Sequence, residues 1–400
     1  MATGSILDLH GLQGLIDALA GRGYRVIGPT ARDGAVVLAD ITSVDDLPRG
    51  IGDDQGAGHY RTRARDDEAL FGFAATAQSA KPLLFPPDEQ LWRGTRSGAG
   101  FEVSPKEPEP APVALLGIRG CDLAAIGIHD TVLLGRGAID AHYATRRAHS
   151  FLIAVTCATP AGTCFCASMG TGPKPGDGAD LTLTELLDPH RFLVETGTAA
   201  GAEVLAELAG APVALADLEA AESVVSGALA GMGRTMQTDD LRDLLYSSAE
   251  SPRWNDVAER CLACTNCTAV CPTCFCTSVE DVSDLSGDVD ERHRVWDSCF
   301  SMEYSRLHGG AVRTSTSARY RQWLTHKLAA WTDQFGMTGC VGCGRCITWC
   351  PAGIDLTAEV SALREDATHR EATPTTTALA RPPASSAAVT APRDHPSTDR

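Results

Sequence analysis

Two cysteine-rich segments of the chain share one spacing. The segments "CLACTNCTAVCP" and "CVGCGRCITWCP" both fit the pattern C-x2-C-x2-C-x3-C-P. Three thiolates spaced in this way wrap one corner of an iron–sulfur cubane, and where two such motifs occur the fourth cysteine ligates the other cluster. The spacing therefore predicts two [4Fe-4S] clusters that exchange their fourth ligands. The predicted ligands are Cys261, Cys264, Cys267 and Cys350 for cluster 1, and Cys340, Cys343, Cys346 and Cys271 for cluster 2.

Zinc is the alternative occupant, because zinc sites also favour C-x2-C pairs. Zinc takes four ligands in two pairs, however, and has no use for a triplet followed by Cys-Pro. Two neighbouring clusters would pass single electrons, and the motif leaves no open coordination position for a substrate. A zinc-stabilised scaffold without a redox role is kept as the interpretation from a different functional class.

Seven of the fifteen cysteines lie outside the two motifs. The letters Thr-Cys-Phe-Cys occur at both 163–166 and 273–276. In an extended segment residues i and i+2 point the same way, so the two Cys-x-Cys pairs together offer four thiolates for a third iron–sulfur or metal site. The opposing interpretation is that a free cysteine is a small buried hydrophobe. The candidates for this third site are Cys164, Cys166, Cys274 and Cys276, with Cys157 or Cys299 in reserve, whereas Cys121 is assigned to packing or to a turn that faces a partner.

Composition excludes some partners. The net charge is -17 and the isoelectric point is near 5.0, which argues against nucleic acid and against an anionic membrane surface. The N-terminal residues lack a basic segment followed by an unbroken apolar run, and no apolar run reaches the ~20 residues of a membrane span. Fifteen cysteines without a need for disulfides indicate metal in a reducing compartment. The predicted location is the cytoplasm.

Three regions are predicted from composition and from the pattern of apolar residues. Residues 1–250 are predicted to form a mixed α/β domain for partner contact, a jump in cysteine density marks residues 251–366 as a second domain that holds the two clusters, and residues 367–400 are predicted to be a disordered tail without aromatic residues. Four apolar runs are predicted strands of the first domain. They lie at 35–41, 112–120, 150–155 and 191–197.

The insert between the two motifs carries a helical pattern and a cluster of cations. In "RYRQWLTHKLAAWTDQF" large apolar residues recur at helical spacing, which predicts a stripe that faces the core. The cations belong either beside a cluster, where they would raise its potential, or on a solvated face that docks an acidic partner. The cations are Arg306, Arg313, Arg319, Arg321 and Lys327.

Four segments together resemble a known family. They are "GCVGCGRCITWCPAGID", "CPTCFCT", "GIRGCDLAAIGIHD" and "TCATPAGTCFCASMGTGP". The family is that of the β subunits of cytosolic NAD(P)-linked NiFe hydrogenases, or sulfhydrogenases, and it also includes the electron-input subunit of anaerobic sulfite reductase. The resemblance covers about residues 80–360, and all eight motif cysteines match it position by position.

The resemblance implies an iron–sulfur electron-transfer subunit without a catalytic site of its own, in which residues 251–366 form a mainly α-helical, ferredoxin-like domain with two [4Fe-4S] clusters. Its partners would be the small and large NiFe hydrogenase subunits together with a flavin- and NAD(P)-binding subunit. The alternative is membership of an anaerobic sulfite reductase, in which the chain would be the electron-input subunit and its partner would carry sirohaem. No NiFe ligand pair, dinucleotide fingerprint or hydrolytic triad stands out in the chain, so no catalytic residue is assigned.

Overall fold

The structure is a computed structural model that describes residues 4–98, 100–135 and 137–372. The strands are β1 (Gly4–Leu7), β2 (Arg25–Arg32), β3 (Ala35–Asp40), β4 (Ile51–Gly56), β5 (His59–Ala64), β6 (Asp88–Ser97), β7 (Gly100–Pro105), β8 (Val113–Ile118), β9 (Ser150–Val155), β10 (Leu181–Leu187), β11 (His190–Thr196), β12 (Thr277–Ser283), β13 (Val289–Trp296), β14 (Arg306–Leu307) and β15 (Gly310–Ala311). The helices are α1 (Leu9–Gly21), α2 (Lys81–Leu84), α3 (Gly120–Leu133), α4 (Ala141–Ala148), α5 (Ala199–Ala206), α6 (Leu215–Ala230), α7 (Leu241–Ser247), α8 (Arg253–Arg260), α9 (Asn266–Ala269), α10 (Thr316–Thr325), α11 (Trp331–Phe335), α12 (Arg345–Thr348) and α13 (Leu356–Ala372). A 3-10 turn at Val44–Asp46 and a π-helical segment at His326–Ala330 complete the elements.

A seven-stranded sheet in the order β1-β11-β10-β9-β8-β2-β3 organises the N-terminal region. Its central neighbours β10, β9, β8 and β2 pair in parallel, and antiparallel pairs close both edges. Successive side chains of β9 serve opposite faces: Phe151 and Ile153 join the core under α1, while Leu152 joins the core under α3. Both faces are therefore covered, which explains the unbroken apolar runs of these strands. The predicted α/β domain and its four strands are confirmed.

A second sheet joins the two halves of the chain. Its order is β12-β13-β6-β7, so a hairpin that lies between the cysteine motifs pairs with a hairpin from the N-terminal region. In the register Val289 lies opposite Thr95 and Arg292 opposite Trp92. The prediction of a mainly helical second domain is wrong for residues 277–296, because this polar hairpin finds its partner strand nearly two hundred positions earlier.

The helical part of the insert forms a second core. Of the stripe predicted from helical spacing, Tyr320, Trp323, Leu324, Leu328 and Trp331 are buried, whereas Phe335 is half-buried. The first four pack with Trp254 of α8, with apolar residues of α7 and α13, and with Phe165 from the N-terminal region. Apart from Phe165, the buried residues of this core begin at Met236, which lies before the predicted boundary at residue 250.

The C-terminal prediction needs one correction. The predicted disordered tail includes residues 367–372, but these residues continue helix α13, whose earlier residues Val360 and Leu363 are buried in the second core. The rest of the predicted tail, 373–400, lies outside the described residues. Among the helices of the described part of the chain, none has the length and apolar character needed to cross a bilayer.

Candidate functional site

The first motif opens into a cavity of about 480 Å³, which we call the first cavity. Cys261, Cys264 and Cys267 line it together with Cys350 and Cys346 of the second motif. The remaining wall is largely apolar and includes side chains of the second core. The lining offers thiols but no carboxylate or imidazole, which is the donor set of a thiolate-ligated cluster.

A second cavity of about 290 Å³ lies at the other motif. Cys340, Cys343 and Cys346 line it together with Cys271 of the first motif. The structure thus brings the fourth cysteine of each motif to the first three of the other, and Cys346 lines both cavities. This lining also has no carboxylate or imidazole. The grouping agrees with the ligand sets expected from the spacing, and the ligand roles themselves stay a prediction.

The two motifs share an unusual backbone. In each, the residue before the second cysteine and the residue after it have a positive φ. These residues are Ala263 (51°) and Thr265 (66°) in the first motif, and Gly342 (65°) and Gly344 (74°) in the second. A short helix, α9 or α12, then begins and carries the third cysteine. Such a conformation costs a non-glycine residue about 1–3 kcal/mol, so the first motif stores strain where its cysteines converge.

Crowding explains why only the second motif uses glycine. A Cβ on Gly342 would lie 2.6 Å from the carbonyl oxygen of Phe165, and one on Gly344 would lie 2.5 Å from that of Thr163. The first motif faces solvent instead: Cys264 is exposed and Leu262 is 68% exposed. One motif is therefore covered by the chain, and the other reaches the surface.

The covering segment is the first Thr-Cys-Phe-Cys stretch, residues 163–166. The Phe165 N–H donates to the Gly342 carbonyl over 2.8 Å, and the hydroxyls of Thr163 and Thr348 share a hydrogen bond of 2.7 Å. Cys164 and Cys166 are buried there, and burial raises the pKa of the Cys166 thiol to about 12. This segment forms a wall behind the second motif.

The second Thr-Cys-Phe-Cys stretch, residues 273–276, has other neighbours. The Cys274 thiol lies 3.9 Å from Nζ of Lys327, and Cys276 interacts with Tyr304. The contacts of Cys164 and Cys166 are instead with Cys343 and the residues around it. Within the described residues, no group of three or more His, Cys, Asp or Glu side chains is arranged to hold a single metal ion. The third site stays a prediction, with its two pairs in different surroundings. Cys121 is buried in the apolar cluster around Cys166, in keeping with its assignment to packing.

The cations of the insert divide between surface and interior. Arg306 is exposed and paired with Glu303, whereas Arg319 is buried and donates to the carbonyl oxygens of Phe300 and Thr314. Lys327 is buried beside Cys271. Members of this group therefore occupy both kinds of position, and their roles beside a cluster or toward an acidic partner stay predictions.

Two buried side chains that the sequence did not single out hold the cysteine motifs to the N-terminal sheet. Arg345, between Cys343 and Cys346, donates to Asp122 of α3 and to the carbonyls of Thr76 and Gln78. Lys81 of α2 donates to the carbonyls of Ala269 and Cys274, with its ammonium 3.7 Å from the centre of the Trp296 ring. Charged residues are almost never fully buried without partners, but nothing in their local sequence indicates burial.

The thiols of the two cavities differ in acidity. Burial raises the pKa of Cys340 to about 12 and raises the pKa of Cys267 and of Cys346 well above its usual value. Cys271 is the exception: a hydrogen bond from Cys274 lowers its pKa, burial opposes this, and the Lys327 ammonium assists it. Iron binding requires the thiolate, and the surroundings of Cys271 favour that form more than those of Cys340, Cys267 and Cys346 do.

Comparisons with known proteins agree with this geometry. Residues 260–354 match the family described as a 4Fe-4S dicluster domain. The chain is 33% identical over 302 residues to sulfhydrogenase 2 subunit beta of Pyrococcus furiosus, a match that covers 75% of this chain and 86% of that protein. No solved structure matches. The chain therefore belongs to the family of sulfhydrogenase β subunits, and its cysteine cavities lie within a 4Fe-4S dicluster domain.

Proposed function

We propose that this chain is the iron–sulfur electron-transfer subunit of a cytosolic NAD(P)-coupled NiFe hydrogenase and relays single electrons through two [4Fe-4S] clusters. The observation that carries the proposal is the pair of adjoining cavities, each lined by three cysteines of one motif and the fourth of the other. Membership of the sulfhydrogenase β-subunit family supports the role of an iron–sulfur electron-transfer subunit. The cluster number, the coupling to NAD(P) and the cytosolic location belong to the proposal.

The ligand assignment follows the linings. Cluster 1 would be held by Cys261, Cys264, Cys267 and Cys350, and cluster 2 by Cys340, Cys343, Cys346 and Cys271. Bound clusters would supply one-electron storage. Cys346 supports a close approach of the two sites because it lines both cavities.

The chain's own residues would control access. Phe300, Tyr320 and Trp323 exclude water from the inner side of the first cavity. On the outer side, the exposed Cys264 and Leu262 offer a place where a partner's redox centre can approach. The second cavity lies behind residues 163–166 and adjoins the first at their common lining residue, Cys346. This arrangement favours the first cavity as the point of exchange with one partner.

The proposed partners are the small and large NiFe hydrogenase subunits together with a flavin- and NAD(P)-binding subunit. The relative is named as a subunit of a sulfhydrogenase, which supports a multisubunit assembly. The test is an anaerobic pull-down of the chain from its host, assayed for hydrogen-dependent reduction of NADP and for reduction of sulfite. Hydrogen-dependent activity with NiFe partners supports the proposal. Sulfite reduction with a sirohaem partner would identify the chain as a subunit of an anaerobic sulfite reductase and would overturn the proposal.

Iron and acid-labile sulfide analysis tests the cofactors separately. Two clusters require about eight irons and eight sulfides per chain, and this is the expected result. A content near twelve would instead require a third cluster, for which Cys164, Cys166, Cys274 and Cys276 are the proposed ligands. Zinc without sulfide would contradict the redox role altogether.

A further inference from the structure

Lys327 is a fully buried cation without a carboxylate partner among the described residues. It lies in the π-helical segment His326–Ala330, and its side chain is 5% exposed. Its ammonium donates to the Cys271 thiol over 3.1 Å, to the Thr273 hydroxyl over 3.0 Å and to the Gly339 carbonyl over 3.1 Å. Each of the three N–H groups of the ammonium can therefore donate to one of these three acceptors. Short π-helical segments often mark functional positions.

The three acceptors lie within or beside the two cysteine motifs. Cys271 ends the first motif and Thr273 follows it, while Gly339 directly precedes Cys340. The backbone carbonyl of Lys327 also accepts the Gly339 N–H over 2.7 Å. Lys327 therefore fixes both sides of the second cavity, whose lining it joins.

The charge of Lys327 is directed at a sulfur. Its Nζ lies 3.1 Å from the sulfur of Cys271 and 3.9 Å from the sulfur of Cys274. Lys81, the other buried lysine in this region, donates to backbone carbonyls instead. Lys327 is thus the buried ammonium that points at a predicted cluster ligand.

We propose that Lys327 is a positioning residue that raises the reduction potential of the cluster held by Cys271. This inference rests on the proposed function. Reduction adds one negative charge to the cluster, and a nearby cation with a hydrogen bond to a ligand sulfur stabilises that charge. The effect is strong in a buried site, where neither water nor salt screens it.

The proposal also gives the long insert between the motifs a function. Residues 272–339 separate Cys271 from Cys340, and the helical half of this insert packs on the second core. That packing fixes the helix that carries Lys327. The insert would thus deliver a buried cation to the second cavity.

The test is a redox titration of the anaerobically purified full chain, followed by electron paramagnetic resonance after iron and sulfide have been counted. Lys327→Met should keep both clusters and should weaken electron binding by one of them about tenfold or more, which is ~59 mV for a one-electron couple. The other potential should stay unchanged, and the shift should persist at high salt. Lys327→Arg should restore most of the potential. Arg306→Gln removes the same charge from an exposed position in the insert and should change neither potential.

Other outcomes overturn the proposal. A fully loaded Lys327→Met protein with both potentials unchanged refutes it. If that variant loses iron, Lys327→Gln is measured, because glutamine keeps a donor without the charge; loss of one cluster there as well means that the lysine assembles the site and does not tune it. An unmodified chain without [4Fe-4S] signals would refute the proposed function itself, so the two failures are distinguishable.

Discussion

The backbone N–H of Phe165 donates to the carbonyl oxygen of Gly342 over 2.8 Å. This bond fastens a segment of the N-terminal region to the loop between the first two cysteines of the second motif. The positive φ of Gly342 turns its carbonyl toward that segment, and the absence of a side chain lets the two backbones meet. The second cavity therefore depends on a residue nearly two hundred positions away from it.

Gly342→Ala should disrupt this junction. The new Cβ would meet the Phe165 carbonyl at 2.6 Å in addition to the strain of a positive φ. We expect the variant to lose about half of its iron and to unfold at a lower temperature. Gly336→Ala is the matched control, because Gly336 also has a positive φ (73°) but open space around it; strain alone should cost about 1 to 2 kcal/mol and leave the iron content unchanged. Equal iron in both variants would contradict the role of the junction.

Cys343→Ser should remove the cluster of the second cavity. A serine oxygen is a poor substitute for a thiolate ligand, so the visible absorbance and the iron content should fall by about half while the protein remains folded. Cys121→Ser removes a buried thiol assigned to packing and should retain full iron. Unchanged absorbance in Cys343→Ser would refute the ligand assignment.

Asp122→Asn should destabilise the protein by about 3 to 5 kcal/mol, because it leaves the buried Arg345 guanidinium without a counter-charge. The comparison is Asp240→Asn, which breaks a partly exposed pair with Arg364 and should cost less than about 1 kcal/mol. Chemical denaturation followed by circular dichroism measures both. Similar losses in the two variants would show that Arg345 does not need Asp122.

Stability should depend on pH through His129. Burial lowers the pKa of His129 from 6.5 to about 4, and its ring packs between Phe85 and Tyr143. Between these two values the unfolded chain binds a proton that the folded chain does not, so stability falls as pH falls, by up to about 1.4 kcal/mol per unit. His129→Phe should reduce this slope between pH 6.5 and 4. A slope identical to that of the unmodified chain would mean that His129 is already protonated when folded.

The sequence predicts those parts of the molecule that are determined by residues close together in the chain. Cysteine spacing predicts which thiols gather, because each motif folds as one short loop and helix. Buried runs such as "SFLIAV" predict strands, because both of their faces are covered. Helical spacing likewise predicts the stripe from Tyr320 to Trp331.

The sequence did not predict the pairing of strands that lie far apart in the chain. The strands β12 and β13 are polar on both faces and expose Val279 and Val282, so they show no alternation that would indicate a sheet. They are held in a sheet because β13 pairs with β6, which lies far away in the chain. For Lys327 the sequence left two places open, beside a cluster or on a solvated face, because a lysine in a helix is usually exposed and its acceptors come from two other segments. The first Thr-Cys-Phe-Cys stretch, residues 163–166, forms a wall behind the second motif, and its sequence alone does not predict this position.

The proposed exchange of cysteines between the cavities would also set an order of events during synthesis. In the proposed ligand sets each cluster needs cysteines from both motifs, and Cys271 leaves the ribosome well before Cys340. Closing the loop between these two residues costs chain entropy, which the hairpin β12–β13 and the buried helix α10 can reduce because they shorten the free segment before its ends meet. With those ligand sets, neither cluster could gain all of its ligands before the second cysteine motif has been translated.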